Sequence, residues 1–533
     1  SDFTYPLLEC LAVAAHHTQL HRNLYQTVEK TVRWCEDVCD LLAAVHRWHS
    51  EIGFDIWFEA QRPLSNISLR EFEGVNYRLL KEFIIEYCFK DSNQYSNKEK
   101  LKAVYTLLFS LLKACDITSS INFSKVAQGY SQNTNLGHLL NADDVILPSL
   151  PLLSLEDIFK GETPYPYQYE MSEAQEPYAM LLAPCGRGKT NAATAWALAL
   201  AKNREIDKLV FAMPTQITSN AMQETLAELF VGKTHVGLYH GRSFSELMMR
   251  QQEQDTVADL DEIQTENFQA EVFGEPVTVT TVDHLIYAFI HGFPQSDFAL
   301  GNLQRAAIVF DEVHYYERKL LAHLRLLFRT LRTMHIPHLL MSGTFPDFFR
   351  KQIESDSGEG IYRFFYDAEG MPRQPFTIER KNFNIVRRIP DKSGEVRQWQ
   401  ISNELREQVL YNHAEGRIQF IILNTVRRAQ ETYRIFKKEL IPAEEITLLH
   451  ARFTYFDRRH KERQTLQKLK IGQCPFLLIA TQVIEVSLDI SSDIMYTEIA
   501  PADALGQRGG RLHRGGANPC EDGIQYQLII CPV

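Results

Sequence analysis

The chain lacks a surplus of positive charge. Its 533 residues hold 56 Lys and Arg against 67 Asp and Glu, a formal net charge of −11. Any contact with a polyanion must therefore come from local basic or backbone-lined grooves. The nine cysteines form no CxxC pair. Cys35 and Cys39 share a helical face but have no partner pair, so core packing in a reducing cytoplasm fits them better than a metal site. No apolar run reaches the ~18 residues of a membrane span. Ser1-Asp2-Phe3 lacks the charged and apolar regions of a signal peptide. It also lacks a Met, which fits a processed or trimmed start. No short-period repeat is present. Hydrophobic residues at 45% and charged residues at 23% are ordinary for a globular chain, and the length suggests about three or four domains.

What is present falls into three textures. Residues 1–160 predict an all-α domain, with apolar positions at helical spacing in Leu24–Val45, Tyr77–Phe89 and Leu101–Cys115. Prolines 148, 151, 164 and 166 mark a connection. From Tyr178, short apolar runs alternate with amphipathic helical runs, the pattern of a mostly parallel α/β sheet. Strands are predicted at Tyr178–Ala183, Leu209–Met213, Val236–Tyr239, Val277–Thr281, Ala306–Phe310 and His338–Met341. The acidic, Gln-rich Gln251–Gln269 reads as a solvated helical excursion. Residues 355–400 lose the alternation and read as a linker with some β character. A second α/β unit follows, with strands at Ile418–Leu423, Ile446–Leu449, Phe476–Ala480, Ile494–Thr497 and Tyr526–Ile530. Domain spans of 1–160, 161–375 and 376–533 follow.

One stretch organises the middle of the chain: Ala183-Pro184-Cys185-Gly186-Arg187-Gly188-Lys189-Thr190. It lies between an apolar strand and an Ala/Leu-rich helix. Backbone N–H groups of such a turn, and the helix dipole, favour an anion. Lys189 can reach the β- and γ-phosphates of a nucleotide, and the Thr190 hydroxyl can ligate Mg²⁺. The usual first glycine is Ala183. No second loop of this kind occurs in the chain.

Ile308-Val309-Phe310-Asp311-Glu312 ends a buried strand with adjacent carboxylates. Ligands of open α/β sheets lie beyond strand C-termini. There Asp311 can hold Mg²⁺ and Glu312 can orient and deprotonate a water. Ser342-Gly343-Thr344 follows another strand; read alone it is a turn, and its hydroxyls can bond to backbone or to His314. Gln507-Arg508-Gly509-Gly510-Arg511-Leu512-His513-Arg514 spaces Arg511 and Arg514 three apart, on one face of a helix. Two planar guanidiniums suit a γ-phosphate. Read alone, the segment is a solvated basic helix end.

In this order the motifs resemble those of superfamily 2 helicases, and more specifically the CRISPR-associated helicase of type I interference systems. Asp311-Glu312-Val313-His314-Tyr315-Tyr316-Glu317, Leu238-Tyr239-His240-Gly241-Arg242-Ser243, Leu449-His450-Ala451-Arg452-Phe453 and Ala480-Thr481-Gln482-Val483-Ile484-Glu485-Val486-Ser487-Leu488-Asp489 carry the closer likeness. The resemblance covers about residues 165–533. It implies two RecA-like domains acting as an ATP- and Mg²⁺-dependent motor, moving 3′ to 5′ on single-stranded DNA and recruited by a guide-RNA surveillance complex (Cascade). It implies nucleotide contacts from Gln168, Gly186, Arg187, Gly188, Lys189, Thr190, Asp489 and Gln507. It implies a nucleic-acid path along Thr215, Thr281, Ser342, Thr344, Thr425, His450, Arg452 and Thr481. A combined helicase–nuclease, a nucleotide-switched clamp and an RNA helicase are the alternatives.

Family members usually begin with an HD nuclease domain. No His-Asp dipeptide occurs here, yet Ala15-His16-His17 and Leu112-Lys113-Ala114-Cys115-Asp116 resemble that domain's late motifs. The open readings are a degenerate relic served by another subunit's nuclease, a chain trimmed of its first motifs, or ordinary surface polar groups at His16, His17 and Asp116. In each, no transition metal and no DNA cutting is expected of the chain as given. The family's C-terminal accessory domain is expected to be absent or not included. A cytoplasmic protein is expected.

Overall fold

The computed structural model describes residues 106–116 and 149–533, except 185, 204–205, 254–259, 291, 294, 314–315, 317, 344–346, 371–375, 391–395, 440, 471–473, 488–489 and 514–524. Of these, 106–116 and 288–304 belong to one compact unit, and 149–287 with 305–533 to another. In the first unit, residues 106–116 form a helix, as does Ser296–Leu303. A Cβ on Gly301 would lie 2.1 Å from the Thr106 carbonyl oxygen, so the lack of a side chain there allows the two helices to touch. Asp116 ends its helix half-buried, beside an exposed Cys115. His16 and His17 lie outside the described residues.

The second unit contains two parallel sheets. The first is built from β1 (Tyr178–Leu182), β2 (Lys208–Met213), β3 (Val236–Tyr239), β4 (Val277–Thr281), β5 (Ala306–Phe310), β6 (His338–Ser342) and β7 (Arg363–Tyr366), in the order β3-β4-β2-β5-β6-β1-β7. β2, β4, β5 and β6 are buried along their whole length. That is why their sequences read as unbroken apolar or Thr/Val runs rather than alternating ones. The Lys189–Asn203 helix buries Ala192 to Leu200 and fully encloses Trp196 in the core. Its small residues allow close helix–sheet packing.

The second sheet contains β8 (Thr377–Arg380), β11 (Ile418–Ile422), β12 (Ile446–Leu449), β13 (Phe476–Ala480), β14 (Ile494–Glu498) and β15 (Gln527–Cys531), in the order β12-β13-β11-β14-β15-β8. Between β8 and β11, β9 (Val386–Pro390) and β10 (Val396–Ile401) form an antiparallel pair. Ile385, Val386 and Ile401 from this pair enter the second core. The segment read as a linker therefore supplies one strand to each parallel sheet and a hairpin against the second. The Gln-rich stretch ends in the Leu260–Glu271 helix, which buries Ile263 and Ala270 as well as exposing polar groups.

Every strand of each sheet is parallel to its neighbours, so all the C-terminal ends of a sheet lie along one edge. In the first sheet β6 separates β1 from β5. The Gly-rich loop after β1, Ser342 at the end of β6 and Asp311-Glu312 after β5 thus meet at one place.

His338, at the start of β6 and so at the opposite edge of the sheet, is fully buried. Its Nδ1–H donates to the Ile336 carbonyl (3.0 Å), and its Nε2 accepts from the Tyr362 hydroxyl (2.6 Å). Arg332 in turn donates to Tyr362 at 2.9 Å. Burial and the Arg332 charge lower its pKa to about 3. A base held neutral in the fold but free to protonate when unfolded stabilises the protein above about pH 6.5 and loses that stabilisation as pH falls toward its folded value. The drop in Tm between pH 7 and pH 5 is therefore expected to be smaller in His338→Gln than in the unsubstituted chain, as measured by calorimetry.

Candidate nucleotide and strand-facing site

Two glycines shape the loop after β1. Gly186 and Gly188 have φ of 77° and 73°, a left-handed backbone that turns successive peptide groups the same way. At Gly188 the space is closed as well, since a Cβ would lie 2.5 Å from Gln168 Nε2. Gln168 comes from the short Pro166–Ser172 helix and is buried. Its Nε2 donates to the carbonyls of Arg187 (3.2 Å) and Gly188 (3.1 Å), and its Oε1 accepts from the Tyr165 N–H (2.8 Å). The Tyr167 hydroxyl donates to the same Arg187 carbonyl. The loop is thus held from below, and Gln168 is one of its supports. Ala183 donates its N–H to the Ser342 carbonyl (3.3 Å), which joins the loop to the end of β6.

The Arg187 side chain turns to a different partner. It pairs in two-point fashion with Asp367 just after β7, at 2.7 and 3.1 Å, and lies 3.5 Å above the Tyr165 ring centroid. Asp367 is buried and also accepts from the Gly370 N–H (3.0 Å). Arg187 therefore serves the loop as a strut.

Lys189 opens the following helix, and its Nζ lies 3.7 Å from Glu312 Oε1. Asp311 continues the β5 register by donating its N–H to the Ala212 carbonyl (3.1 Å), and its Oδ1 accepts from the Glu312 N–H (2.8 Å). Glu312 has φ of +48°, a strained backbone for a residue with a Cβ. Burial first, and the Glu312 charge second, push the Asp311 carboxyl well above the usual range, while Lys189 opposes them. Two carboxylates share one ammonium in a buried corner. That donor set fits a hard divalent cation, and the left-handed loop beside it fits a polyphosphate. Thr190, next to Lys189, is half-buried and its carbonyl accepts from the Thr194 hydroxyl.

In the second sheet, the Ala502–Gly509 helix ends at a Gly510 cap. Arg511 therefore lies just beyond the helix rather than on it. The glycine pair stops the helix, and the Arg511 carbonyl accepts from the Ser492 N–H (2.9 Å), just ahead of β14. Its guanidinium donates to the carbonyls of Ile484 (3.2 Å) and Glu485 (3.0 Å). Arg514, Asp489, His314 and Thr344 lie outside the described residues. Gln507 is half-buried on the helix. Arg508, read from sequence as a neighbour only, is almost fully enclosed. It binds Glu485 (2.8 Å), Thr497 (2.6 Å) and Asn424 (3.2 Å), and so ties together the ends of β11 and β14 and the Val483–Ser487 helix.

Of the residues expected along a nucleic-acid path, those described lie at or just beyond strand ends in both sheets. Thr215 caps the Gln216–Leu229 helix, accepting from the Thr218 N–H at 3.2 Å. Thr425 accepts from the Arg428 N–H at 3.4 Å. Thr281 and Thr481 end β4 and β13 and are buried, as is Ser342. His450 is buried too. Its Nδ1 accepts from the Arg452 N–H (3.3 Å), and its Nε2 faces Gln430 at 3.1 Å. With Nδ1 accepting, Nε2 must carry the proton, so the Gln430 amide presents its oxygen there. Burial lowers the His450 pKa, in keeping with a neutral ring. His450 thus orients the loop that exposes Arg452. The first sheet repeats the arrangement at the same spacing. His240 Nδ1 accepts from Arg242 N–H (3.1 Å), and Nε2 donates to Asn220 (2.7 Å). Asn220 and Gln430 each stand five residues after Thr215 and Thr425, so the repeat was present in the sequence, spread too thinly to be seen without the fold.

Comparisons with known proteins agree with this architecture. A family model described as "DEAD/DEAH box helicase" matches residues 165–351, and one described as "CRISPR-associated nuclease/helicase Cas3, C-terminal" matches 415–517. A putative CRISPR-associated nuclease/helicase Cas3 of Methanocaldococcus jannaschii is 39% identical over 99% of this chain and 71% of its own length. The chain belongs to the Cas3 family. The Escherichia coli endonuclease/helicase Cas3 is 28% identical over 62% of this chain, which spans 40% of that relative's length. The crystal structure of T. fusca Cas3-AMPPNP superposes with a TM-score of 0.61 at 18% identity, covering 99% of this chain and 71% of that one. This fold likeness extends to both RecA-like sheets. Among the described residues, no helix is long and apolar enough to cross a membrane.

For this Cas3-family chain, the least anticipated residue is Asp367, since nothing in the motif spacing points to a carboxylate so far along the chain. Replacing Asp367 with Asn removes the charged half of a buried two-point pair, a loss of ~1.5–3 kcal/mol. Backbone amide exchange in residues 186–189 is expected to rise about tenfold or more. Glu369→Gln, at the exposed residue 3.7 Å from Arg187, is expected to leave it unchanged.

Proposed function

We propose that the chain is the motor of a type I CRISPR interference system, an ATP-dependent translocase on single-stranded DNA. The observation that carries the reading is the approach of Lys189 to the Asp311-Glu312 pair at the C-terminal edge of a parallel sheet. Membership of the family supports the rest. In this reading, residues 161–375 form the nucleotide-binding domain and 376–533 its partner.

Lys189 and the N–H groups of the Gly186–Thr190 turn bind the β- and γ-phosphates, with Gln168 and Gln507 at the nucleotide's margins and Asp489 facing the cleft. Thr190 and Asp311 hold Mg²⁺, which neutralises phosphate charge when bound. Glu312 accepts the proton of the attacking water, and the strained φ at this residue fixes its direction. Phosphate binding separates Lys189 from Glu312 and so frees the carboxylate for that role. Arg187 keeps the turn in shape through Asp367. Arg511 and Arg514 stabilise developing charge from the second domain. For Arg511 this requires release of the Ile484 and Glu485 carbonyls, so closure around nucleotide exchanges one set of hydrogen bonds for another.

Thr215, Thr281, Ser342 and Thr344 in one domain, and Thr425, Arg452 and Thr481 in the other, line the strand path, with His450 positioning Arg452. Contacts of this kind reach phosphate and sugar and carry no sequence information, which a translocase requires. Their placement in local strand-end loops also accommodates the acidic net charge. The 3′-to-5′ direction, delivery by a guide-RNA surveillance complex and a cytoplasmic setting belong to the same proposal. The free cysteines Cys115, Cys474 and Cys531 suit a reducing compartment. No cutting is assigned to the chain.

Lys189→Ala and Glu312→Gln are each expected to lower DNA-stimulated ATP turnover at least about 100-fold, with Glu312→Gln still binding nucleotide. Retained turnover in either would overturn the site. Displacement of a labelled strand from a substrate with a 3′ but not a 5′ overhang tests the motor. ATPase stimulated by DNA without displacement would identify a clamp instead, and stronger stimulation by RNA an RNA helicase.

A further inference from the structure

The two sheets repeat their strand-end loops, yet one cluster breaks the symmetry. In the first sheet, the Val282–Phe289 helix begins directly at the end of β4. Its His284 receives three neighbours. Thr281 bonds its Nδ1 through the hydroxyl at 2.8 Å. The Tyr239 ring, at the end of β3, packs edge-on at 4.9 Å, and the Tyr287 ring packs edge-on at 5.6 Å. A Cβ on Gly241 would lie 3.7 Å from His284 and 3.5 Å from Gln216. The ends of β2, β3 and β4 therefore converge on this one imidazole. Tyr239 and His284 are covered to different degrees, but Tyr287 is 43% exposed. It is an aromatic ring fixed by a rigid neighbour at the rim of the loops that carry Thr215, Arg242 and Thr281.

The second sheet carries different residues at the matching positions. Where the first has Tyr239, His284 and Tyr287 relative to the strand-end threonine and histidine, the second has Leu449, Ile484 and Ser487. Ile484 is fully buried. The threonine, histidine and arginine elements are present on both sides, but the aromatic one differs: His450 stacks on the half-buried Phe453 of its own loop, ring centroids 4.0 Å apart, whereas His284 braces the exposed Tyr287.

We infer that Tyr287 is a base-stacking residue, holding one nucleobase of the single strand against the first RecA-like domain. The inference rests on the strand path proposed above and adds a base contact to a set of backbone contacts. Stacking is tolerant of sequence, because every base offers a π-face. A ring braced by His284 loses little freedom on binding, which favours it over a mobile surface tyrosine.

The test is equilibrium binding of the whole chain to two oligonucleotides, oligo-dT and a strand of the same length with abasic residues, across a range of salt. Tyr287→Ala is expected to bind oligo-dT roughly fivefold or more weakly, with the same slope of log affinity against log salt as the unsubstituted chain. On the abasic strand the two are expected to bind alike. Tyr287→Phe is expected to restore binding to oligo-dT. Equal affinity of Tyr287→Ala and the unsubstituted chain for oligo-dT, or an equal loss on both strands, would overturn the inference. Arg452→Ala separates this from the underlying reading, since losing one phosphate contact is expected to reduce the salt slope by about 0.7. If Arg452→Ala does so while Tyr287→Ala has no effect, stacking alone fails. If neither changes binding, the strand path fails with it.

Discussion

Asp311, Glu312 and Lys189 set the terms for the rest of the first sheet. Two adjacent carboxylates at the end of a buried strand repel one another and lose solvation, and a single ammonium at 3.7 Å offsets part of the cost. A fold does not gain stability from such an arrangement. It persists because the strands around it are rigid: β5 and β6 are buried throughout, β1 is buried along its middle, and their parallel register fixes where their ends lie. The corner stores electrostatic strain of the kind that a cation and a polyphosphate would relieve, as the proposed function requires. This is a physical reason for coupling between nucleotide and conformation in a motor.

The supports of the loop carry the same logic outward. Gln168 and Tyr167 hold its carbonyls, and Asp367 holds the Arg187 side chain through a strand that is the last of its sheet. The turn is therefore anchored on the strand before it, the helix after it and a residue 180 positions away. In the second sheet Arg508 plays the comparable part, drawing β11, β14 and the Val483–Ser487 helix together from its centre. Buried arginines thus fix strand ends in both halves, Arg187 through both carboxylate oxygens of Asp367 and Arg508 through Glu485, Thr497 and Asn424.

Much of this was legible before any coordinates. Buried parallel strands are continuous apolar runs, and all eleven predicted strands lie within one residue of an observed one at each end. The first strands to escape notice were β7 and β8, whose residues are largely exposed at sheet edges. Hydrophobic pattern comes from burial, so an edge strand leaves little trace of it. The same reasoning explains Arg511. Spacing suggested a helical face, but the Gly509-Gly510 pair ends the helix first, and a Cβ on Gly509 would meet Phe376 at 2.6 Å. A glycine needed for close approach and a glycine that stops a helix look identical in sequence.

By itself the sequence determined the chemistry of the glycine-rich loop, the acidic pair and the alternation of strands and helices. Those depend on neighbouring residues, and local spacing records them. The tertiary structure decided which partner each side chain takes. Arg187 went to Asp367, His450 to the support of Arg452, and Tyr287 to an exposed place beside His284, while Ser487 stands at the corresponding point of the second sheet. Those outcomes depend on which strand ends a parallel sheet brings together. Strand order joins residues that lie far apart along the chain, and no local pattern of residues records it.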